Sequence, residues 1–193
     1  MATLLAERST RPDPRVTRTR KLIRDALTSL LAEKSFEAVT VQDIAERATV
    51  NRATFYAHYA DKFALLDAMI REDVAGLLSE GDPLSARDTR AMLSAVAANL
   101  FAFVGTHRKC RIDRDFEPQF ERAMESELTE FLLSRFEHCT AMLVASAIVG
   151  AAMNWRHQAP KAAPAPIVAN IVGILVDGVV ERAARTSAVR AAR

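Results

Sequence analysis

The chain has 193 residues, half of them hydrophobic, and a formal net charge of +2. This length can bury a core without disulfides or metals, and Cys110 and Cys139 have no metal-ligand spacing with the four histidines. The composition therefore argues against a disulfide-stapled secreted domain or a zinc module, and we expect no cofactor and no metal. Ala, Leu, Arg and Glu recur while glycine occurs only six times, which favours an all-α fold.

Positive charge is concentrated at the start of the chain. Seven Lys and Arg but only two Asp and Glu precede residue 25. Residues 63–193, in contrast, have 15 Lys and Arg and 16 Asp and Glu, so this part of the chain is nearly neutral. A basic N-terminal segment is typical of proteins that bind polyanions, nucleic acid first. We interpret residues 1–13 as a flexible basic arm, and a solvated terminus without a partner is the alternative.

Localisation follows from the apolar segments. The N-terminus lacks the apolar core of a secretory signal, and the most apolar later run, at 141–153, is shorter than the ~18–20 residues that span a bilayer. We therefore expect a cytoplasmic protein.

The first helix is predicted from Pro14 to about Lys34, where apolar residues recur at helical spacing behind Asp13 as N-cap. Thr40 and Asp43 have the spacing of a capping box, which predicts a short second helix over 41–48.

A third short helix is predicted after Asn51, a suitable N-cap, with Phe55 as its buried residue. Two short helices joined by a tight turn, behind a longer supporting helix, predict a helix-turn-helix.

The rest of the chain predicts further helices. Asp61 caps a long fourth helix that ends near Gly81. The later helices are expected at 85–106, 117–138, 140–157 and 164–185. The last two are apolar nearly all round, and a chain of this size can cover both by pairing them with a second copy in a four-helix bundle. A buried intramolecular hairpin is the alternative.

The stretch NRATFYAHYADK, residues 51–62, combines aromatic side chains with cations. An α-helix fits the major groove of DNA, where polar side chains at its N-terminal end reach base edges and further donors reach phosphates. Arg52 is suited to guanine, and Ala53 and the methyl of Thr54 are suited to thymine methyls. Tyr56, His58 and Lys62 offer donors for phosphates.

The segment FEAVTVQDIAERATVNRATFYAHYADKFALL resembles the DNA-binding signature of the tetracycline-repressor (TetR) family. The match covers residues 18–66: a Thr before the second helix, an Ile-Ala pair inside it, a Tyr-x-His-aromatic ending of the recognition helix and a Lys opening the next helix. The resemblance implies DNA contacts by Arg18, Thr40, Gln42, Arg52, Ala53, Thr54, Tyr56, His58 and Lys62.

One residue departs from the family pattern. The family usually has Gly in the turn, where this chain has Thr49. If that position is left-handed, a β-branched residue there costs on the order of 1 kcal/mol, which permits the fold but can shift the turn.

The resemblance also implies a domain plan and a mechanism. Residues 14–62 would form the DNA-binding domain, and residues 63–193 a helical effector-binding and dimerisation domain. A homodimeric repressor would leave a palindromic double-stranded operator when a small-molecule effector changes the separation of its two heads. A pocket is expected among the helices at 85–106, 117–138 and 140–157. Its candidate ligand-binding residues are Asn99, Phe103, His107, Phe120, Met142 and Trp155.

Two rival function classes are less consistent with the sequence. An enzyme is not expected, because no nucleophile-base pair, paired carboxylates, glycine-rich phosphate loop or metal motif occurs at local spacing. A helical adaptor whose basic arm binds membrane or RNA, without sequence-specific DNA binding, leaves the pattern from Thr40 to Lys62 unexplained.

Overall fold

The computed structural model describes residues 13–79, 88–106, 115–158 and 162–180. Within these ranges the chain is helical and has no strand, so the all-α prediction is confirmed. The helices are α1 (Pro14–Glu33), α2 (Val41–Arg47), α3 (Arg52–Tyr56), α4 (Lys62–Ser79), α5 (Thr89–Thr106), α6 (Phe116–Leu132), α7 (His138–His157) and α8 (Pro164–Ile174). A π-helical turn, Leu175–Val180, continues α8.

The first three helices begin at the predicted caps. The Asp13 carboxylate accepts a bond of 2.9 Å from the amide of Arg15. Asn51 Oδ1 accepts one of 2.6 Å from the amide of Thr54, which starts α3. Each cap satisfies an amide that the first helical turn leaves unpaired, so the helix starts could be predicted from local sequence.

The turn between α2 and α3 is left-handed at Thr49, with φ of 56°. The amide of Val50 donates to the carbonyl of Ala45 at 2.9 Å, and the amide of Thr49 donates to that of Glu46 at 3.1 Å. These are the two bonds of a Schellman motif, which ends a helix on a left-handed residue. Thr49 therefore takes the left-handed conformation that suits glycine.

The helix-turn-helix packs on a core that continues into the rest of the chain. Ile23 and Leu27 of α1, Ile44 of α2, Phe55 of α3 and Leu65 of α4 are all fully buried in one cluster. Beyond α4, helix α6 packs between α4 and α7, and α5 packs against α7 and α8. Helix α4 thus packs both in the core of the helix-turn-helix and against the later helices.

Helix α6 ends six residues before the predicted boundary at 138. The amides of Arg135 and Phe136 both bond to the carbonyl of Leu132, which turns the chain out of the helix. Glu137 then caps α7 by accepting from the amides of Cys139 and Thr140. Glutamate is an uncommon N-cap, and the apolar spacing runs on to Phe136, so the sequence pattern did not reveal this break.

Helices α5 and α7 are each long and apolar enough to cross a membrane by length and composition, although the sequence suggested only a shorter apolar run. In each, 44% of the apolar window is buried inside the molecule. Both lie in the helical core, where apolar surface packs against other helices.

Candidate nucleic-acid interface

Helix α3 presents its N-terminal residues to solvent and anchors itself through one aromatic ring. Arg52 and Ala53 are exposed and Thr54 is half-buried, while the Phe55 side chain is 0% exposed. Tyr56, the last residue of α3, is 48% exposed. A rigid helix with buried support and exposed polar tips is the geometry that groove recognition requires.

Arg52 and Tyr56 lie one turn apart and contact each other. Arg52 Nη2 donates to the Tyr56 hydroxyl at 3.4 Å, and its guanidinium carbon lies 5.9 Å from the ring centre. The Tyr56 ring in turn meets Phe55 edge-on, with centroids 5.6 Å apart. The exposed Arg52 guanidinium therefore contacts the Tyr56 ring, which itself packs on the buried Phe55. This contact limits the orientations of the guanidinium.

Helix α2 carries the other predicted contacts. Thr40 and Gln42 are exposed, and so is Arg18 on α1. The Thr40 hydroxyl takes part in the capping box, accepting from the amide of Asp43 at 3.1 Å and donating to Asp43 Oδ2 at 2.8 Å. Hydrogen bonds from Lys34 first, then from Thr40, lower the pKa of Asp43 to about 2. Thr40 thus holds the helix start as well as facing solvent.

Two ion pairs fix α2 against α1. Lys34 Nζ lies 2.7 Å from Asp43 Oδ2. Arg47 makes a two-pronged contact with Glu33, at 2.8 and 2.9 Å, and the hydrogen bond from Arg47 is the main cause that lowers the pKa of Glu33. Sequence reasoning missed both pairs, because each joins two helices and no spacing along the chain signals them.

Lys62 does not point its ammonium group at solvent. Nζ donates to the backbone carbonyls of Phe36, Glu37 and Val39 at 2.8, 3.1 and 3.0 Å, which uses all three of its hydrogens. It also lies 4.7 Å from the centre of the Phe36 ring. The geometry therefore gives Lys62 a structural role, tying α4 to the segment between α1 and α2, in place of the predicted phosphate contact.

Thr54 and His58 are only half-buried. The Thr54 hydroxyl donates to Asn51 Oδ1 at 2.9 Å, and the His58 ring lies 6.4 Å from the ring of Tyr59. Burial raises the pKa of Tyr59, which packs on Phe55 rather than facing outward. Among the predicted DNA contacts, the exposed residues are thus Arg18, Thr40, Gln42, Arg52, Ala53 and Tyr56, and Thr54 and His58 are partly buried.

The predicted ligand residues in the described part of the chain make several separate contacts. Phe103 and Phe120 are buried and stack with centroids 5.8 Å apart. Trp155 packs on Phe101 at 5.5 Å, and Asn99 Nδ2 donates to the carbonyl of Leu77 at 3.4 Å. The Met142 side chain is 51% exposed on α7. His107 lies outside the described residues.

A cavity of about 330 Å³ lies between α1, α4 and α6. We call it the junction cavity. Its apolar lining is Leu31, Leu66, Met69, Ile70, Phe116 and Phe120. Arg24, Thr28 and Asp73 supply its polar groups. Phe120 is a predicted ligand residue in this lining. Arg24, Thr28 and Leu31 were missed because α1 was assigned wholly to DNA binding, and the α4 residues because α4 was left out of the expected pocket.

An all-helical protein with an N-terminal helix-turn-helix is the class that this geometry defines. The family described as bacterial regulatory proteins, tetR family, matches residues 23–69. The HTH-type transcriptional regulator YxbF of Bacillus subtilis is 40% identical over 73 residues, which is 37% of this chain and 19% of the relative. The chain spans less than a third of the curated relatives that it matches.

Solved structures extend the likeness to most of the fold. A TetR transcriptional regulator from Streptococcus agalactiae has a TM-score of 0.56 at 22% identity, over 84% of this chain and 96% of the other. FadR from Bacillus subtilis, in complex with stearoyl-CoA, has a TM-score of 0.53 at 18% identity, over 82% and 98%. The likeness to the tetR family therefore lies in residues 23–69, and the fold of most of the chain is similar to that of these solved structures.

Proposed function

We propose that this chain is a sequence-specific DNA-binding transcriptional regulator, a homodimeric repressor that a small-molecule ligand releases from a palindromic operator. One observation supports the proposal most directly. In α3, which lies within the segment that matches the tetR family, Arg52 and Ala53 are exposed and Phe55 is fully buried. Such a protein acts on bacterial DNA in the cytoplasm.

The DNA contacts divide by chemistry. Arg52 can bond two acceptors of a guanine, and Ala53 can pack on a thymine methyl. The Tyr56 hydroxyl accepts from Arg52 at 3.4 Å and keeps its own hydrogen as a donor for a phosphate. Arg18 on α1 and Gln42 on α2 are exposed donors that fit phosphate contacts, which hold the register but carry no sequence information. Thr40, the N-cap of α2, would contact a phosphate through its hydroxyl only by giving up its hydrogen bond to Asp43.

Dimerisation is supported by apolar side chains left open on α7 and α8. Met142 and Leu143 are each 51% exposed, and Ile174 is 61% exposed. Large apolar groups exposed together mark interaction surfaces, and two-fold pairing of α7 and α8 would cover them. A dimer would place two copies of α3 about 34–36 Å apart, one turn of DNA, and their binding energies would add.

Ligand response is supported by the position of α4. Arg24 of α1 bonds to Glu72 at 2.9 Å and to Asp73, and Arg71 bonds to Ser126 of α6 at 2.9 Å. One helix therefore connects the DNA-binding domain to the C-terminal helices, and a ligand that favours one of its positions would shift the heads. A protein of the same fold, FadR, has been solved with stearoyl-CoA.

Selection of bound fragments from random duplex DNA tests the proposal. The wild-type chain should enrich palindromes, and Arg52→Ala should relax the preference at one position of each half-site. Arg122→Ala, an exposed cation on α6, is the matched control and should keep the wild-type preference. Failure of the wild type to enrich any sequence at low salt, where phosphate contacts are strongest, would contradict the proposal.

A further inference from the structure

The junction cavity differs from the pocket that the sequence suggested, because its walls come from two domains. Leu31 belongs to α1, Met69 and Ile70 to α4, and Phe116 and Phe120 to α6. Its volume of about 330 Å³ lies at the small end of the range of about 300–1,000 Å³ typical of ligand pockets. It can hold a ligand about as large as two fused aromatic rings.

The two charged residues in the cavity lining, Arg24 and Asp73, pair with each other. Arg24 pairs with Glu72 and Asp73, and all three side chains are partly exposed. A ligand carboxylate would meet these two carboxylates, and a ligand ammonium would meet the Arg24 guanidinium. A neutral hydroxyl can accept from Arg24 and donate to Asp73 without disturbing the pairing.

A second cation lies behind the aromatic wall. The Arg156 guanidinium carbon is 5.3 Å from the ring centre of Phe120 and 5.9 Å from that of Phe116, on a side chain only 4% exposed. Arg156 is not part of the cavity lining, so it contacts these rings from outside the cavity. The pairing of Arg24 with Asp73 in the lining favours an uncharged ligand over an ion of either sign.

We propose that the junction cavity binds a small neutral, mainly apolar molecule with one hydroxyl or carbonyl group, and that this ligand contacts the DNA-binding domain directly. The proposal rests on the proposed function only for its effect on DNA. A ligand between α1 and the α4–α6 pair binds best at one spacing of these helices, so it biases the position of α1 without a relay through the rest of the C-terminal domain.

Methyl NMR of the full chain, labelled at its six methionines, tests the site. Met69 lines the cavity, whereas Met92 and Met153 are buried on α5 and α7 and Met142 is exposed. Titration with naphthol should shift the Met69 methyl saturably and leave Met142 unmoved. Naphthoate and naphthylmethylammonium, which have the same rings with opposite charges, should bind at least about tenfold more weakly.

Three variants sharpen the test. Thr28→Trp places an indole at the exposed edge of the cavity and should weaken naphthol binding at least about tenfold. Leu22→Trp, exposed on the same helix but outside the lining, should leave binding unchanged. Arg24→Gln leaves the carboxylates of Glu72 and Asp73 uncompensated and should shift the preference from naphthol to naphthylmethylammonium.

Several results would overturn the site: shifts confined to Met92 and Met153, equal affinity for the three probes, or no saturable shift. Failure of this inference can be told from failure of the proposed function. Binding of the selected DNA without a Met69 shift would refute the cavity site and leave the regulator intact. A saturable Met69 shift in a chain that selects no DNA would refute the regulator and support the cavity site.

Discussion

Lys62 Nζ lies 2.8 Å from the carbonyl oxygen of Phe36, and the same ammonium group lies 4.7 Å from the centre of the Phe36 ring. The first residue of α4 is thereby fixed to the loop that precedes α2. Any movement of the start of α4 must carry this loop with it or leave its carbonyls without their donor. The contact gives the proposed switch a direct mechanical link to the helix-turn-helix.

Lys62→Met should destabilise the fold and weaken DNA binding without changing its salt dependence. Loss of the ammonium leaves the partly buried carbonyls of Phe36 and Val39 without their donor, which should lower the free energy of unfolding in urea by about 1 kcal/mol. Because no phosphate contact is lost, the slope of log affinity against log salt should stay at its wild-type value. Arg18→Ala is the comparison, since loss of one phosphate contact lowers the slope by about 0.9. If Lys62→Met reduced the slope by that amount, the result would support the predicted phosphate contact and contradict the purely structural role of Lys62.

Thr49→Gly should stabilise the protein. Thr49 has φ of 56°, which costs an L-residue about 1–2 kcal/mol, and the greater freedom of glycine in the unfolded chain cancels part of the gain. We expect a net increase of about 0.5–1 kcal/mol in the free energy of unfolding. Ala48→Gly, at the adjacent right-handed position with φ of −76°, should instead lower it. Equal effects of the two substitutions would contradict the strain at Thr49.

Asp43 should make stability depend on pH below about pH 4. Folding lowers its pKa from the ordinary 3.8 to about 2, so the folded state favours the ionised carboxylate. The stabilisation is complete above the unfolded pKa and is lost as the pH falls toward 2. Asp43→Asn should therefore be less stable than wild type at pH 7, with a difference that shrinks toward pH 2. Asp25→Asn, exposed on α1, is the control, and a difference constant with pH would refute this role of Asp43.

Ile174→Asp should weaken the proposed dimer. Ile174 is 61% exposed on α8, and a carboxylate buried at the two-fold contact would lose its hydration without a partner. Sedimentation equilibrium should give a dissociation constant raised at least about tenfold, with a matching loss of affinity for the palindrome relative to a half-site. Leu22→Asp, an exposed apolar position on α1, should leave the dimer intact. A wild-type chain that remains monomeric would refute dimerisation through these helices.

The helix-turn-helix could be predicted from the sequence because its signals are local. Asp13, Thr40 and Asn51 cap helices by bonds to residues two or three positions ahead, and Phe55 is buried where helical spacing puts it. The start of α7 could not be predicted in this way, because Glu137 is an uncommon cap and apolar spacing continues across the break.

The tertiary structure alone decided which side chains are available for binding. Lys62 turns to the Phe36 carbonyl 26 residues before it, and Arg47 reaches Glu33 on another helix, so neither contact leaves a periodic trace in the chain. The exposure of Met142 and the junction cavity likewise depend on the angles at which helices cross. Caps and apolar spacing act within a few residues and fix where helices begin and which face is buried, whereas the partners of long side chains depend on how distant helices pack.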